Sequence, residues 1–294
     1  MELLGGVLLK SADYLRERGV PSPRLDAELL LSHALGLARL QLYLQHDRPL
    51  EEPELAALRE LMRRRGQREP LAYLVGHRGF WELDFRVAPG LLVPRPDSEI
   101  LVEALLARIP AEREEPLFVA DVGCGTGCLG LSVAAARPCV RVYAVDLNRA
   151  ALACTKENAE ALGLKARVAL LEGDLLGPIP PERPVDWVIS NPPYIPRPQL
   201  AGLQPEVARW EDRRALDGGE DGLEVIRRLI PAAFARVRCG LVMEHAFDQG
   251  GATRGLALAA GFGQVQTLRD LAGNERCLVA LRERAEEQVS GPDR

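Results

Sequence analysis

Between Leu117 and Glu244, five short apolar runs alternate with longer stretches of helical periodicity, and that order leaves few folds open. The runs are Leu117–Val122, Arg141–Leu147, Arg167–Leu171, Val185–Ser190 and Gly240–Glu244, with helical intervals such as Arg149–Leu162 and Gly222–Val237. Parallel strands covered on both faces read as near-continuous apolar runs, and right-handed crossovers place the intervening helices on the two sides of the sheet. The expected fold is therefore α/β, a doubly wound parallel sheet. Gln264–Leu268 and Arg276–Leu281, separated by Asp270-Leu271-Ala272-Gly273-Asn274, predict a closing hairpin.

Two of these runs end in residues that cannot continue a strand. Leu117–Val122 leads into Gly123-Cys124-Gly125-Thr126-Gly127 and then a helix. Glycines there permit positive φ and close approach of a ligand to the backbone. The next run ends in Asp146, nineteen residues past Gly127, where a carboxylate can accept hydrogen bonds from ribose hydroxyls. Val185–Ile189 leads into Ser190-Asn191-Pro192-Pro193-Tyr194-Ile195. Each proline fixes its own φ and lacks an N–H, and Pro192 holds Asn191 extended, so carbonyls and the Asn191 amide face outward. A planar amide or amino group finds acceptors there.

The stretch Gly125-Thr126-Gly127-Cys128-Leu129-Gly130 also satisfies the dinucleotide fingerprint. Asp121 argues against that ligand: a carboxylate repels a pyrophosphate but attracts the methionyl ammonium of S-adenosylmethionine. With the Asn-Pro-Pro-Tyr loop downstream, the two motifs together point to methyl transfer from S-adenosylmethionine to a nitrogen.

A formal net charge of −5 gives the chain no global attraction to a polyanion, so direct nucleic-acid binding is not expected. Arg63-Arg64-Arg65, with Arg68 after it, is the one dense basic cluster and reads as the solvated end of a helix. The start of the chain lacks a cationic lead, and no run approaches the roughly 20 apolar residues of a membrane span, so a cytoplasmic protein is expected. Six cysteines form no C-x-x-C pair and four histidines are scattered, so no metal is expected. Cys124 and Cys128 read as small residues of the turn rather than nucleophiles.

The first 76 residues carry helical punctuation: Ser22 as an N-cap before Pro23, apolar residues at Leu25, Leu29, Leu30, Ala34 and Leu35, and a second amphipathic run, Glu54–Met62. Phe80–Leu83 and Asp84–Val87 suggest a hairpin before Pro89-Gly90. The expected division is a helical domain at 1–76, a hairpin linker at 77–95 and a catalytic domain at 96–294.

Taken together, these pieces resemble the HemK/PrmC family of release-factor glutamine methyltransferases. The resemblance runs through Glu69 to Gly76, Val93-Pro94-Arg95-Pro96-Asp97-Ser98-Glu99, the glycine turn, Asp146, Ser190 to Ile195, Ala215 to Leu223 and Asp270 to Gly273. It implies a seven-stranded class I methyltransferase domain (Rossmann-like) behind an N-terminal helical domain. It further implies a monomer that acts on the glutamine of the Gly-Gly-Gln loop in class 1 peptide chain release factors. The cofactor residues implied are Asp121, Gly123, Cys124, Gly125, Thr126 and Gly127 for the methionyl part, Asp146 for the ribose, Asp174 and Leu175 for the adenine region, and Asn191. Asn191, Pro192, Pro193 and Tyr194 hold the glutamine, and Asn191, Pro192 and Tyr194 form the catalytic set. Departures from the family pattern are Cys124 in place of threonine, Glu244-His245-Ala246 in place of Glu-Ile-Gly, and Glu211-Asp212 in place of Glu-Pro. The Asn-Pro-Pro-Tyr tetrapeptide is shared with enzymes that methylate adenine in DNA or guanine in ribosomal RNA. Such enzymes flip a base and grip phosphates, and no basic groove is evident here. A non-catalytic cofactor-binding partner of release factors has no use for an aimed pair of acceptors.

Overall fold

The computed structural model describes residues 2–283; residues 284–294, the end of the expected catalytic domain, lie outside the described residues. The chain opens with β1 (Glu2–Leu3), α1 (Leu4–Glu17), α2 (Pro23–Leu35), α3 (Arg39–Leu44), β2 (Pro49–Leu50), α4 (Glu52–Gly66) and α5 (Leu71–Val75), and β1 pairs with β2. Leu4, Leu8, Ala12 and Leu15 fall on one face of α1 at helical spacing. They are buried in one cluster with Leu30 and Leu31 of α2 and Leu58 and Met62 of α4. Pro23 opens α2 as expected, but the Ser22 side chain makes no capping hydrogen bond. Its φ of −123° and ψ of 61° lie outside the extended region from which a cap hydroxyl reaches back into the helix.

The arginine run is not a solvated helix end. Arg63 is exposed beside Glu60, but Arg64 pairs with Glu69, and Arg65 is only 4% exposed. Arg65 lies 2.8 Å from Asp26 and 2.9 Å from Glu206 and donates to the Glu69 carbonyl at 3.0 Å. Arg68 grips the same Glu206 through two bonds of 2.6 Å. A buried guanidinium is tolerated because its fork meets carboxylates and a carbonyl on each side.

These contacts belong to one of two compact units: the chain up to Arg78 together with Arg86–Val93 and Ala201–Glu211. Ala72, Tyr73, Val87 and Val93 form a small buried cluster with Trp210 packed against it, and the Tyr73 hydroxyl donates to the Leu91 carbonyl at 2.5 Å. Residues 201–211, placed by the sequence inside the catalytic domain, therefore belong to the helical unit. The hairpin is β3 (His77–Phe80) and β4 (Leu83–Arg86), shifted from the expected register so that Trp81 sits in the turn at a φ of 56°. The Glu99 carboxylate accepts the Trp81 N–H at 2.8 Å and pins the turn there.

The second unit comprises Gly79–Phe85, Pro94–Leu200 and the described chain from Asp212 on. It contains α6 (Glu99–Leu106), β5 (Leu117–Val122), α7 (Cys128–Ala136), β6 (Val140–Asp146), α8 (Arg149–Ala161), β7 (Val168–Glu172) and β8 (Val185–Ser190). After α9 (Pro205–Trp210), which lies in the first unit, follow α10 (Glu224–Arg236), β9 (Val237–Glu244), α11 (Gly250–Ala260), β10 (Gln264–Arg269) and β11 (Glu275–Leu281). The sheet order is β10-β11-β9-β8-β5-β6-β7, with β11 antiparallel to both its neighbours. All six residues of β8 are buried, and neighbours along it divide between two cores: Ile189 with Leu101, Val133 and Val142, and Val188 with Val145, Ile226 and Leu229. From β5 the chain steps outward to β6 and β7, then returns to β8 on the other side of β5. Such a reversal opens a crevice at the carboxyl ends of the two central strands, where ligands of doubly wound sheets bind.

Removing the carboxylate shared by Arg65 and Arg68, in Glu206→Ala, is expected to cost about 2–3 kcal/mol in urea unfolding. Arg63→Ala, on the exposed flank, leaves the midpoint unchanged.

Candidate active site

The first edge of the crevice is the glycine turn after β5. Asp121, 1% exposed, accepts the Gly130 N–H at 2.9 Å through one oxygen, while its other oxygen is buried without a hydrogen-bond partner among the described residues. Burial, with the nearby Asp146 charge as a smaller contributor, pushes the Asp121 carboxyl up to about 7 despite the Gly130 hydrogen bond. Gly123, Gly125 and Gly127 have φ of 71°, 57° and 81°. A Cβ at Gly123 or Gly125 meets nothing within 4 Å, so the backbone conformation rather than crowding calls for glycine, and the turn is an open cradle. Its backbone is held from behind. Gly123 and Cys124 donate to the Val145 carbonyl at 2.8 and 3.0 Å, Thr155 Oγ1 donates to the Gly125 carbonyl at 3.0 Å, and Asn158 Nδ2 to the Thr126 carbonyl at 2.9 Å.

Asp146, at the end of β6, accepts the Gly125 N–H at 2.9 Å and the Asn148 N–H at 2.8 Å. The N-cap of α8 is Asn148, which accepts the Ala150 N–H at 3.0 Å, so Asp146 is not consumed as a cap. Gly173 donates to the Asp146 carbonyl at 3.0 Å and brings the turn at Asp174 and Leu175 alongside; Asp174 pairs with Arg228 and Leu175 adopts a φ of 51°. Burial, reinforced by Asp121, drives the Cys124 thiol well up and the Cys128 thiol to about 12, so both stay protonated and unreactive.

The second edge is the loop after β8. The Ser190 hydroxyl donates to the Val122 carbonyl at 2.7 Å and ties β8 to β5 at the reversal point. Pro192 is buried; Asn191, Pro193 and Tyr194 are half-buried. A strap formed by Leu216-Asp217-Gly218-Gly219 holds the outgoing chain: Ile195 donates to the Leu216 carbonyl at 3.1 Å, and Gly218 to the Ile195 carbonyl at 2.9 Å. Gln249 Nε2 donates to the Tyr194 carbonyl at 3.0 Å. Gly222, at a φ of 79°, passes so close that a Cβ there lies 2.4 Å from the Tyr194 carbonyl oxygen.

Behind this loop runs a chain of polar contacts. Asn191 Nδ2 donates to Ser98 Oγ at 3.1 Å, Ser98 Oγ donates to Glu244 Oε2 at 2.5 Å, and the Tyr194 hydroxyl donates to Glu244 Oε1 at 2.9 Å. Glu244 is 1% exposed; burial raises its pKa, against the two hydroxyl donors and Arg276, which favour the charged form. The Tyr194 phenol is raised well above its ordinary range by burial and then by the Glu244 charge.

The PrmC N-terminal domain family matches residues 7–76, and the methyltransferase small domain family matches residues 96–201. A release factor glutamine methyltransferase of Geobacter sulfurreducens is 43% identical over 265 residues, which span 90% of this chain and 91% of that protein. One from Moorella thermoacetica is 44% identical over 267 residues, spanning 90% and 93%. The chain belongs to the release factor glutamine methyltransferase family. The fold is also shared with a 16S rRNA methyltransferase of T. thermophilus solved in complex with AdoMet and guanosine, at a TM-score of 0.50 and 22% identity, over 70% of this chain and 50% of that one. Among the described residues no helix is long and apolar enough to cross a membrane, and no group of three side chains is placed to hold a metal ion.

The structure adds to the family motifs several residues that sequence reading did not assign to the site. Thr155 and Asn158 lie on α8, and Gln249 precedes α11; each acts on a backbone carbonyl far away in the chain, which no local pattern reveals. Ser98 lies 93 residues from Asn191 and is brought to it only by the tertiary fold. Glu244 had a readable signal, because an acidic residue closing a buried apolar strand repeats the arrangement of Asp121 at the end of β5.

A folded-state carboxyl at about 7 binds a proton more tightly than an unfolded one at 3.8, so the protein loses stability as pH rises between those values. Asp121→Asn removes that dependence. The variant is expected to gain about 2–3 kcal/mol on the parent between pH 5 and pH 7.5, read as the difference between two urea titrations; parallel curves rule out a buried, proton-binding Asp121.

Proposed function

We infer that this chain transfers a methyl group from S-adenosyl-L-methionine to the side-chain amide nitrogen of the glutamine in the Gly-Gly-Gln loop of class 1 peptide chain release factors. The observation that carries the reading is the state of Asn191: its nitrogen is engaged by Ser98, while among the described residues no donor reaches its oxygen. An outward acceptor beside the Pro192 carbonyl suits an incoming NH2 group.

A glutamine amide is a weak nucleophile because its lone pair is delocalised into the carbonyl, so orientation supplies the catalysis. Asn191 Oδ1 and the Pro192 carbonyl accept the two N–H bonds and fix the plane of the substrate amide. The ring of Tyr194 covers that plane, its hydroxyl held by Glu244. Glu244 is committed to Ser98 and Tyr194 and is not a free base. Phosphate-gripping alternatives are disfavoured by the arginine run, since Arg63, Arg64, Arg65 and Arg68 are all paired with carboxylates inside the helical unit. The helical unit serves instead as the recognition module for the protein substrate.

The residues present fit the cofactor. The unpartnered, buried oxygen of Asp121 is a site for an ammonium, the open turn at Gly123 and Gly125 leaves room for the methionyl chain, and Asp146 faces the same turn with a carboxylate suited to ribose hydroxyls. Bound there, S-adenosylmethionine supplies a methyl group already activated by a cationic sulfur.

The direct test is incubation with labelled cofactor and either purified release factor or nucleic acid, followed by mass mapping of the methyl group. Label on the glutamine amide is expected; label on a base replaces the reading with base methylation. Asn191→Ala is expected to lower kcat by about 10²–10³ with the cofactor Kd little changed. In Asp146→Ala the cofactor affinity falls by about 1.5–3 kcal/mol in calorimetry while a saturated enzyme keeps most of its turnover.

A further inference from the structure

We propose that Ser98 and Glu244 are positioning residues that decide which end of the Asn191 amide faces the substrate. The proposal rests on the amide-methylation reading above and explains how its acceptor is kept an acceptor.

A carboxamide has nearly the same shape whichever way it is turned, yet one end only accepts hydrogen bonds and the other only donates them. If Asn191 turned over, it would offer a donor to an NH2 group that also only donates, and the substrate would be repelled. Packing alone discriminates poorly between the two orientations, so the choice has to come from a neighbour with a fixed polarity.

Ser98 supplies it through Glu244. Each oxygen of the Glu244 carboxyl accepts from one hydroxyl, and a hydroxyl that gives its single proton there has none left for another partner. The Ser98 O–H is taken by Glu244 Oε2 at 2.5 Å, while Tyr194 donates to the other oxygen at 2.9 Å. With its single proton spent, Ser98 Oγ presents only lone pairs to Asn191, 3.1 Å away. The Nδ2 end is the one that fits there, and Oδ1 is left to accept. Both Ser98 and Glu244 are nearly inaccessible, at 2% and 1% exposure, so water is a poor competitor for the same contacts. The polarity of the whole line is thus set at Glu244, two hydrogen bonds from the Asn191 amide. Ser98 belongs to the Pro-Arg-Pro-Asp-Ser-Glu segment, which the binding roles of the glycine turn and the Asn-Pro-Pro-Tyr loop leave unexplained.

Ser98→Ala removes the lone pairs that Asn191 addresses and touches neither the glycine turn nor Asp146. Its kcat on release factor is expected to fall about 10- to 100-fold, with the cofactor Kd within about twofold of the parent. Ser98→Thr, which keeps the hydroxyl, restores turnover. A second readout needs no substrate: in protein labelled with [15N]asparagine, the Asn191 side-chain resonance is identified by its loss in Asn191→Ala. One of its two Nδ2 protons should then exchange slowly with solvent in the parent, and the resonance should move in Ser98→Ala. Unchanged kcat in Ser98→Ala, or equally fast exchange of both Asn191 protons in the parent, overturns the proposal; the exchange measurement decides even if the alanine variant fails to fold. Should the parent methylate no release factor at all, the substrate reading falls, while the exchange measurement still judges the orientation of the amide.

Discussion

Two carboxylates buried at the carboxyl ends of strands in one sheet are the constraint around which this structure is arranged. Desolvating an ionised carboxylate costs several kcal/mol unless partners replace the lost water. Asp121 and Glu244 answer that cost differently. Glu244 has both oxygens engaged by hydroxyls and a nearby Arg276, which oppose the upward push of burial on its pKa. Asp121 has one oxygen satisfied and one buried without a partner among the described residues, and burial raises its proton affinity as it does that of Glu244. One carboxylate has both oxygens hydrogen-bonded and the other has one without a partner among the described residues, and they lie at the ends of two strands separated only by β8.

The chain exits these strands by opposite backbone devices. After β5, glycines at positive φ let the chain wrap around an open cradle. After β8, two prolines without N–H groups leave carbonyls unclaimed by any ladder. The first device makes room and the second makes acceptors. The fold holds both from behind: α8 through Thr155 and Asn158 for the glycine turn, the Leu216–Gly219 strap and Gln249 for the proline loop. Only glycine at position 222 leaves room for the Tyr194 carbonyl.

Most of the sheet was legible in the sequence because a parallel strand covered on both faces leaves an unbroken apolar run; Leu117–Val122 and Val185–Ser190 are read with their observed limits. The glycine turn, Asp146 and the Asn-Pro-Pro-Tyr loop were legible because their chemistry is local. The failures share a cause. The hairpin register depends on Glu99 reaching the Trp81 N–H, the burial of Arg65 depends on Glu206 from 141 positions away, and the membership of residues 201–211 in the helical unit depends on both that pair and Trp210. Each is set by a partner distant in the chain, and a single sequence has no mark for it. Ser22 failed for another reason: composition identifies a residue able to cap, but only the backbone angles decide whether its hydroxyl can reach.

Catalysis by orientation places an unusual demand on such distant partners. A general base tolerates some play, because a proton transfer succeeds over a range of geometries. An amide acceptor has no such margin: turned over, it becomes a donor and opposes the reaction it should assist. A site built on Asn191 therefore needs a group of fixed polarity somewhere behind it, and a lone hydroxyl does not provide one, since it donates or accepts as its neighbours require. A buried carboxylate can. On the amide-methylation reading proposed above, that need accounts for the cost of burying Glu244, whose two oxygens are both taken by hydroxyls at the end of a strand of the catalytic unit.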